Sequence, residues 1–406
     1  MKRNVFLAAA IVMALLVIGF FALPTYVASQ ANAVLASEPY APHAEALQRH
    51  QGLVVADLHA DALLWNRDLL ERGDYGHVDL PRLREGNVTL QVFSTVTKVP
   101  RQWVHEGDPD DNADLIGLLA LAQRWPVRTW LSPFERARYQ AARLHDTEAR
   151  SGGSLRILRT REDLAALLTA RQRGEDMTGG LLATEGSHAL EGRLENIAAL
   201  HEDGFRMMGL QHFFDNRLGG SLSGESGAGL TPFGRDAVQE MQRLGIVIDV
   251  AHSSPAVVED VLAISEDPVV VSHTGIYGAC PSARNLSDAQ MQRIAERGGL
   301  IGIGFWEGAV CDATPAGVVR TIRLAIDLLG EDHVALGSDF DGSIGAYFDA
   351  AQLAILTQEM MNQGFSDSEI EKVMGGNLVA LLGRRLPSAG TPERSGPSDP
   401  GPSAVR

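Results

Sequence analysis

Seven side chains able to bind a metal ion or move a proton stand at the ends of apolar runs in this chain. They are His59 and Asp61 in "VADLHADALLW", Glu185 in "GGLLATEG", His212 in "GFRMMGLQHF", His252 in "GIVIDVAHSS", His273 in "DPVVVSHTG" and Asp339 in "HVALGSDFDG". Side chains at i and i+2 of a strand share a face, so His59 and Asp61 can converge on one point. Taken singly, each is also what a hydrogen-bonded core residue looks like, and H-x-D after an apolar run is a weak signal. Four of the twelve histidines lie at such ends beside three carboxylates, however, and independent core pairs do not account for that coincidence.

Neutral imidazole and carboxylate suit zinc, and no thiolate stands among them. His59, Asp61, Glu185, His252 and His273 are too many ligands for one tetrahedral ion that keeps a position open. Two ions sharing a carboxylate fit better, and Glu185, between the histidine groups in chain order, is the natural bridge. Such a pair can hold a hydroxide, because coordination lowers the pKa of water from 15.7 towards about 7. His212 and Asp339 are then left for chemistry. Amide hydrolysis needs a donor for the developing oxyanion and an acid for the leaving amine, and a histidine and an aspartate supply these.

Positioning these residues requires a fold that gathers strand ends. The six runs above, with "NVTLQVFSTV" and "GGLIGIGFW", make eight candidate strands. Helical patterns fall between most of them. In "TPFGRDAVQEMQRLG", Thr231 is an N-cap, Pro232 opens the helix, and Val238, Met241 and Leu244 share a face before a glycine stop. "SPAVVEDVLAIS", "SDAQMQRIAERGG" and "TPAGVVRTIRLAIDLLG" repeat that grammar. Continuous apolar strands alternating with capped helices predict an α/β fold with a parallel sheet, and eight units match a (β/α)8 TIM-type barrel, whose strand ends meet at one mouth. A doubly wound open sheet is the structural runner-up. The segment from about Pro100 to Arg161, holding "DPDDNADLIGLLALAQRW", reads as a helical insertion after the second strand.

The remaining features bound the setting. A formal charge of -16 over 406 residues argues against a nucleic-acid partner, since a phosphate backbone needs a basic surface. Residues 1–36 begin with Lys2 and Arg3, continue as an uncharged apolar run from Val5 to Leu23, and reach Ala31-Asn32-Ala33. That describes both a cleavable signal peptide and an N-terminal membrane anchor, and either exports residues 37–386, the expected catalytic domain. The protein is therefore expected to be extracytoplasmic, in the periplasm or cell envelope, secreted or membrane-anchored. Residues 387–406, rich in Pro, Gly and Ser, read as a disordered tail. Cys280 and Cys311 can bridge in an oxidising compartment or stay free, and spacing alone does not decide.

From about Val54 to Leu382 the chain resembles the membrane (renal-type) dipeptidases, peptidase family M19 of the metal-dependent amidohydrolases. The resemblance rests on "DLHAD", "TEG", "GLQHFFDN", "LTPFGRDAVQEMQRLGIVIDVAHSS", "VVVSHTG", "CPSARNLSD", "GSDFDG" and "GGNLVALL" in order and spacing. It implies two zinc ions, one held by His59 and Asp61, the other by His252 and His273, with Glu185 bridging. It implies that His212 contacts the substrate carbonyl, that Asp339 shuttles the proton near the free amine, and that Arg284 in "PSARN" binds the terminal carboxylate. On its residue type alone Arg284 would be read as a surface arginine, although a planar fork suits a carboxylate. The resemblance also implies a Cys280–Cys311 disulfide. "DLHAD" stands for the commoner "DGHND", "QVFSTVTKVP" lacks the usual Phe-Trp pair, and "DGSIGAYFDAAQL" lacks a Pro-x-Gly-Leu segment. None of these removes a ligand, and the last two alter the pocket rim, where substrate preference is set.

The implied activity is hydrolysis of free dipeptides, a D-residue at the carboxyl side being tolerated. Its alternatives are another amidohydrolase activity, such as N-acyl amino acid deacylation or lactam or lactone opening, and a non-catalytic, metal-bearing envelope binding protein. A homodimer is open.

Overall fold

The computed structural model describes residues 2–100 and 114–390. Nine strands form: β1 (Val55–Ala60), β2 (Val88–Val96), β3 (Leu155–Ile157), β4 (Thr178–Glu185), β5 (Phe205–Gly209), β6 (Val247–Asp249), β7 (Val270–Thr274), β8 (Leu300–Ile303) and β9 (Val334–Leu336). Eight are the expected runs. All nine pair in parallel in the order β2-β1-β9-β8-β7-β6-β5-β4-β3, and a further β2–β4 pairing closes the ring, so the architecture is a closed eight-stranded TIM-type barrel with surrounding helices. The ninth strand, β3, lies inside the segment expected to be a helical insertion. It pairs with the start of β4, from Thr178 to Gly180, and β5 takes over from Leu182. Three residues were too few for an apolar run to announce a strand.

Apart from β3, every strand residue is buried, because helices cover one face and the barrel interior the other. The caps form as the grammar requires. Thr231, Ser254, Ser287 and Thr314 each accept a backbone N–H of the helix they open. Val238, Met241 and Leu244 all face the core.

The insertion contributes the helices Leu115–Ala122 and Pro133–Arg150; residues 101–113, which hold the start of "DPDDNADLIGLL", lie outside the described residues. So does most of the expected C-terminal tail, from residue 391 onward. Cys280 and Cys311 are joined, with Cα atoms 5.5 Å apart. Closing a loop across a separation of 31 residues stabilises the fold by roughly 3 to 4 kcal/mol in the loop-entropy model.

The N-terminal helix runs from Lys2 to Ala31 with Pro24 inside it, and is long and apolar enough to cross a membrane. Its end is tied to the barrel. Asn32 Oδ1 accepts the Ser343 N–H at 2.8 Å, Val34 bridges Ala346, and the Leu35 N–H donates to the Ala346 carbonyl at 2.8 Å.

Candidate metal centre and active site

The barrel delivers the expected residues to its carboxyl-end mouth by three local routes. Glu185 and His273 are strand residues of β4 and β7. His212, His252 and Asp339 each stand three residues beyond a strand, after β5, β6 and β9. Asp61 departs from the i, i+2 argument: β1 ends at Ala60, and Asp61 opens a short helical turn. It reaches the same place because its N–H is held by the Phe340 carbonyl at 2.8 Å, which bends the chain inward. Gly186 has φ 80°, and a Cβ there would stand 3.0 Å from His212 Cβ, so the "TEG" glycine lets β4 end against the neighbouring loop. All eight expected site residues, Arg284 included, are buried, none more than 8% exposed.

Glu185 is the centre of the cluster. Its Oε1 lies 3.0 Å from His252 Nε2, 3.4 Å from His273 Nε2, 3.5 Å from His212 Nε2 and 3.6 Å from His59 Nε2. His59 Nε2 lies in turn 3.5 Å from Asp61 Oδ1 and 3.9 Å from Asp339 Oδ1. These contacts do not satisfy the groups involved. Neither His59 Nε2 nor Asp61 Oδ1 has a hydrogen bond of sound geometry, and His252 Nε2 faces His273 Nε2 at 3.0 Å, where at most one can donate. Lone pairs from three triples, His59–Asp61–Glu185, Glu185–His212–His252 and His59–His273–Asp339, each lie within 4.8 Å of one another. A buried cluster of acceptors turned inward is what a cation requires, so the donor set fits divalent metal binding.

The electrostatics agree. Burial pushes the Glu185 carboxyl well above its ordinary range, and the neighbouring Asp61 charge adds to that. Burial likewise pushes Asp339 up to about 8, against the pull of His59 and Arg284 and with the push of Asp61. For His59 burial opposes protonation, but the charges of Asp61, Glu185 and Asp339 outweigh it and raise the group to about 10. Burial holds His212 and His273 neutral. A bound cation would relieve the carboxylate repulsion and return these acids to their charged forms.

Sequence reasoning missed the residues behind the cluster. Ser272 donates its hydroxyl to Asp249 Oδ2 at 2.6 Å, and Asp249 Oδ1 also accepts the Ser272 and Ala251 N–H groups. With its one hydrogen committed, the Ser272 oxygen accepts from His273 Nδ1 at 2.8 Å and faces His59 Nδ1 at 3.4 Å. That puts the His273 proton on Nδ1 and turns the Nε2 lone pair into the mouth, the tautomer a metal ligand needs. On the other side, Asp57 accepts the Ser338 N–H at 2.8 Å and the Gln91 amide at 2.7 Å, fixing the residue before Asp339. The signal was an acid inside an apolar strand, "VVADLH" and "GIVIDV".

Arg284 is a buried residue, contrary to its reading as a surface arginine. It donates to the Ala251 carbonyl at 2.7 Å and the His273 carbonyl at 2.9 Å, with its guanidinium 5.7 Å from the Trp306 ring centre. Each Nη carries a second hydrogen, so the fork can receive a carboxylate with both bonds kept. Arg284, Asp339, Glu185, His212, His252 and His273 line one cavity of about 750 Å³.

Residues 43–386 match the family model for membrane dipeptidase, peptidase family M19. The chain belongs to that family. Dipeptidase aclJ of Aspergillus oryzae is 28% identical over 357 residues, covering 81% of this chain and 77% of that protein. A solved M19 metallopeptidase, dipeptidase AC, is 28% identical with a TM-score of 0.67 and covers 82% of this chain and 99% of its own. A Rhodobacter sphaeroides metallopeptidase, solved with a phosphinate mimic of the dipeptide L-Ala-D-Ala, is 27% identical with a TM-score of 0.67 over the same shares.

Proposed function

We propose that this chain is a zinc-dependent dipeptidase of the cell envelope that hydrolyses free dipeptides, including those with a D-residue at the carboxyl side. Membership of the membrane dipeptidase family and the dipeptidases among its relatives support a metal-dependent dipeptidase. The single observation that carries the reading is the buried Arg284 fork in the same cavity as the imidazole–carboxylate cluster and Asp339. A cation-binding wall, a carboxylate receptor and an ionisable acid are what a molecule with two charged termini and one amide demands.

In this reading His59 and Asp61 would hold one ion and His252 and His273 the other, with Glu185 shared between them. Glu185 is shared by two of the three donor triples, His59–Asp61–Glu185 and Glu185–His212–His252, and stands 3.4 Å from His273 Nε2, which supports the bridging role. When bound, the ions supply an activated water and polarise the scissile carbonyl. The chain's own residues do the rest. Arg284 binds the terminal carboxylate through a charge-assisted fork. The neutral His212 offers its N–H to the carbonyl oxygen as negative charge develops there. Asp339 takes the proton that the attacking water gives up and delivers it to the leaving amine, beside the substrate's free amino group. The N-terminal helix anchors residues 37–386 outside the cytoplasm.

Two expectations follow from the supporting residues. Arg284→Met should raise KM for free dipeptides by roughly 10- to 100-fold, the worth of a hydrogen-bonded charge, and by much less for their C-terminal amides. Steady-state kinetics on both series checks it, and equal effects would mean the arginine does not read the carboxylate. Ser272→Ala should weaken zinc binding by about 10- to 100-fold by freeing the His273 tautomer. Titration against a competing chelator measures this, and wild-type affinity would remove Ser272 from the orienting role.

One other reading has an observation in its favour. The outer wall of the cavity is apolar, with Leu115, Leu119 and Val99 among its residues, and would suit an N-acyl chain. A deacylase would then act on acylated substrates and spare free dipeptides, which the closing experiment of the Discussion separates.

A further inference from the structure

The outer half of the site cavity is built by the N-terminal segment. Phe20, Leu23, Pro24, Val27, Ala31 and Leu35 line it together with the helix Leu115–Ala122, against which the segment packs. Leu23, Val27 and Leu35 keep 53, 43 and 48% of their surface uncovered, and Leu118 keeps 52%. An apolar lining of a binding cavity is surface that an apolar ligand group covers favourably.

The segment's position is fixed on both sides. A helix of 30 residues is about 45 Å long, against a hydrocarbon core of about 30 Å, so a membrane-spanning Val5–Leu23 leaves Pro24 to Ala31 outside the bilayer and Phe20 and Leu23 at its boundary. Beyond the helix, Asn32 is buried and bonded to Ser343, and Leu35 packs beside Gly345. The Ala31-Asn32-Ala33 stretch that would serve as a cleavage site is thereby part of the packed structure.

We infer that the N-terminal segment is retained as a wall of the substrate pocket, and that it selects dipeptides with a large apolar amino-terminal residue. The inference rests on the dipeptidase reading, which places the substrate's amine at Asp339. Ser343 and Gly345, against which the segment docks, follow Asp339 directly, so the side chain nearest the segment is that of the amino-terminal residue. The bilayer surface, close to the emerging helix, concentrates such amphipathic substrates at the mouth.

The test uses the full chain in detergent micelles. Cys280 and Cys311 are disulfide-bonded, so Val27→Cys introduces a single free thiol. Labelling it with a bulky maleimide after folding blocks the wall without asking the chain to fold around the change. The expected result is that labelling lowers kcat/KM for Leu-Ala by about 10-fold or more, the worth of burying a leucine side chain, and leaves Ala-Ala within about twofold. An unchanged Leu-Ala to Ala-Ala ratio, whether both rates hold or both fall, overturns the inference while leaving the dipeptidase reading intact. Failure of the unlabelled full chain to hydrolyse either peptide overturns the dipeptidase reading, and the inference with it.

Discussion

Replacing Asp339 with asparagine should lower kcat by about 10²- to 10⁴-fold while the protein keeps its full metal content. The side chain lies 3.9 Å from His59 Nε2, farther than any Glu185 contact in the cluster, and although it completes one donor triple with His59 and His273, the proposed ligand set does not need it. Its backbone sits at φ 60°, a conformation asparagine adopts as readily as aspartate, so the loop should keep its shape. A side-chain amide cannot carry the proton to the leaving amine, and the loss should therefore fall on kcat more than on KM. Metal analysis and steady-state kinetics on the same preparation check this. An undiminished rate would end the proton-transfer role, and a loss of metal would make Asp339 a ligand.

His273→Ala should remove metal and activity together. The imidazole is a strand residue, 1% exposed, held at Nδ1 by Ser272, with its ring centre 3.9 Å from that of His59, so its Nε2 is fixed at the mouth and its loss leaves a gap among the donors. Losing a ligand should cost more than the 10- to 100-fold typical of an orienting partner, and activity should fall by at least about 10²-fold with fewer than two ions retained per chain. Elemental analysis after gel filtration gives the stoichiometry. Two ions and full activity would take His273 out of the ligand set.

The two variants separate functions that the sequence presents in the same form, as polar residues closing apolar runs. The strands and caps were legible because they depend on local pattern: apolar continuity, Ser or Thr before a helix, Pro at its first position. The clustering of His59, Glu185, His252 and His273 was legible because a closed parallel barrel leaves strand ends nowhere else to go. What local pattern hides is the part played by a neighbouring group. In "GSDFDG" Asp339 is named by its place at the strand end and by the family motif, while the role of Asp341 goes unread. The structure buries Asp341 against Arg67 and the His77 and Val78 N–H groups, which leaves Asp339 to the cavity. Partners 264 residues apart in sequence decide that, and no window of the sequence contains them.

Arg284 was legible only through the family motif, and not from its residue type, for a similar reason. An arginine between Ala283 and Asn285 in a loop reads as solvated until the Ala251 and His273 carbonyls are seen to receive it. The docking of Asn32 and Leu35 beside the loop that follows β9 was hidden too, since the apolar run that precedes them reads as an export signal and nothing in it points at the barrel.

The most direct test of the central claim is hydrolysis by the zinc-loaded full chain of Leu-Ala and of N-acetyl-Leu-Ala, each with and without a chelator. The account predicts that the free dipeptide alone is cleaved and that chelation abolishes its cleavage. Cleavage of the acetylated form alone would contradict it, keeping the barrel and its metal ligands but assigning the site to deacylation, with the roles of Asp339 and Arg284 lost.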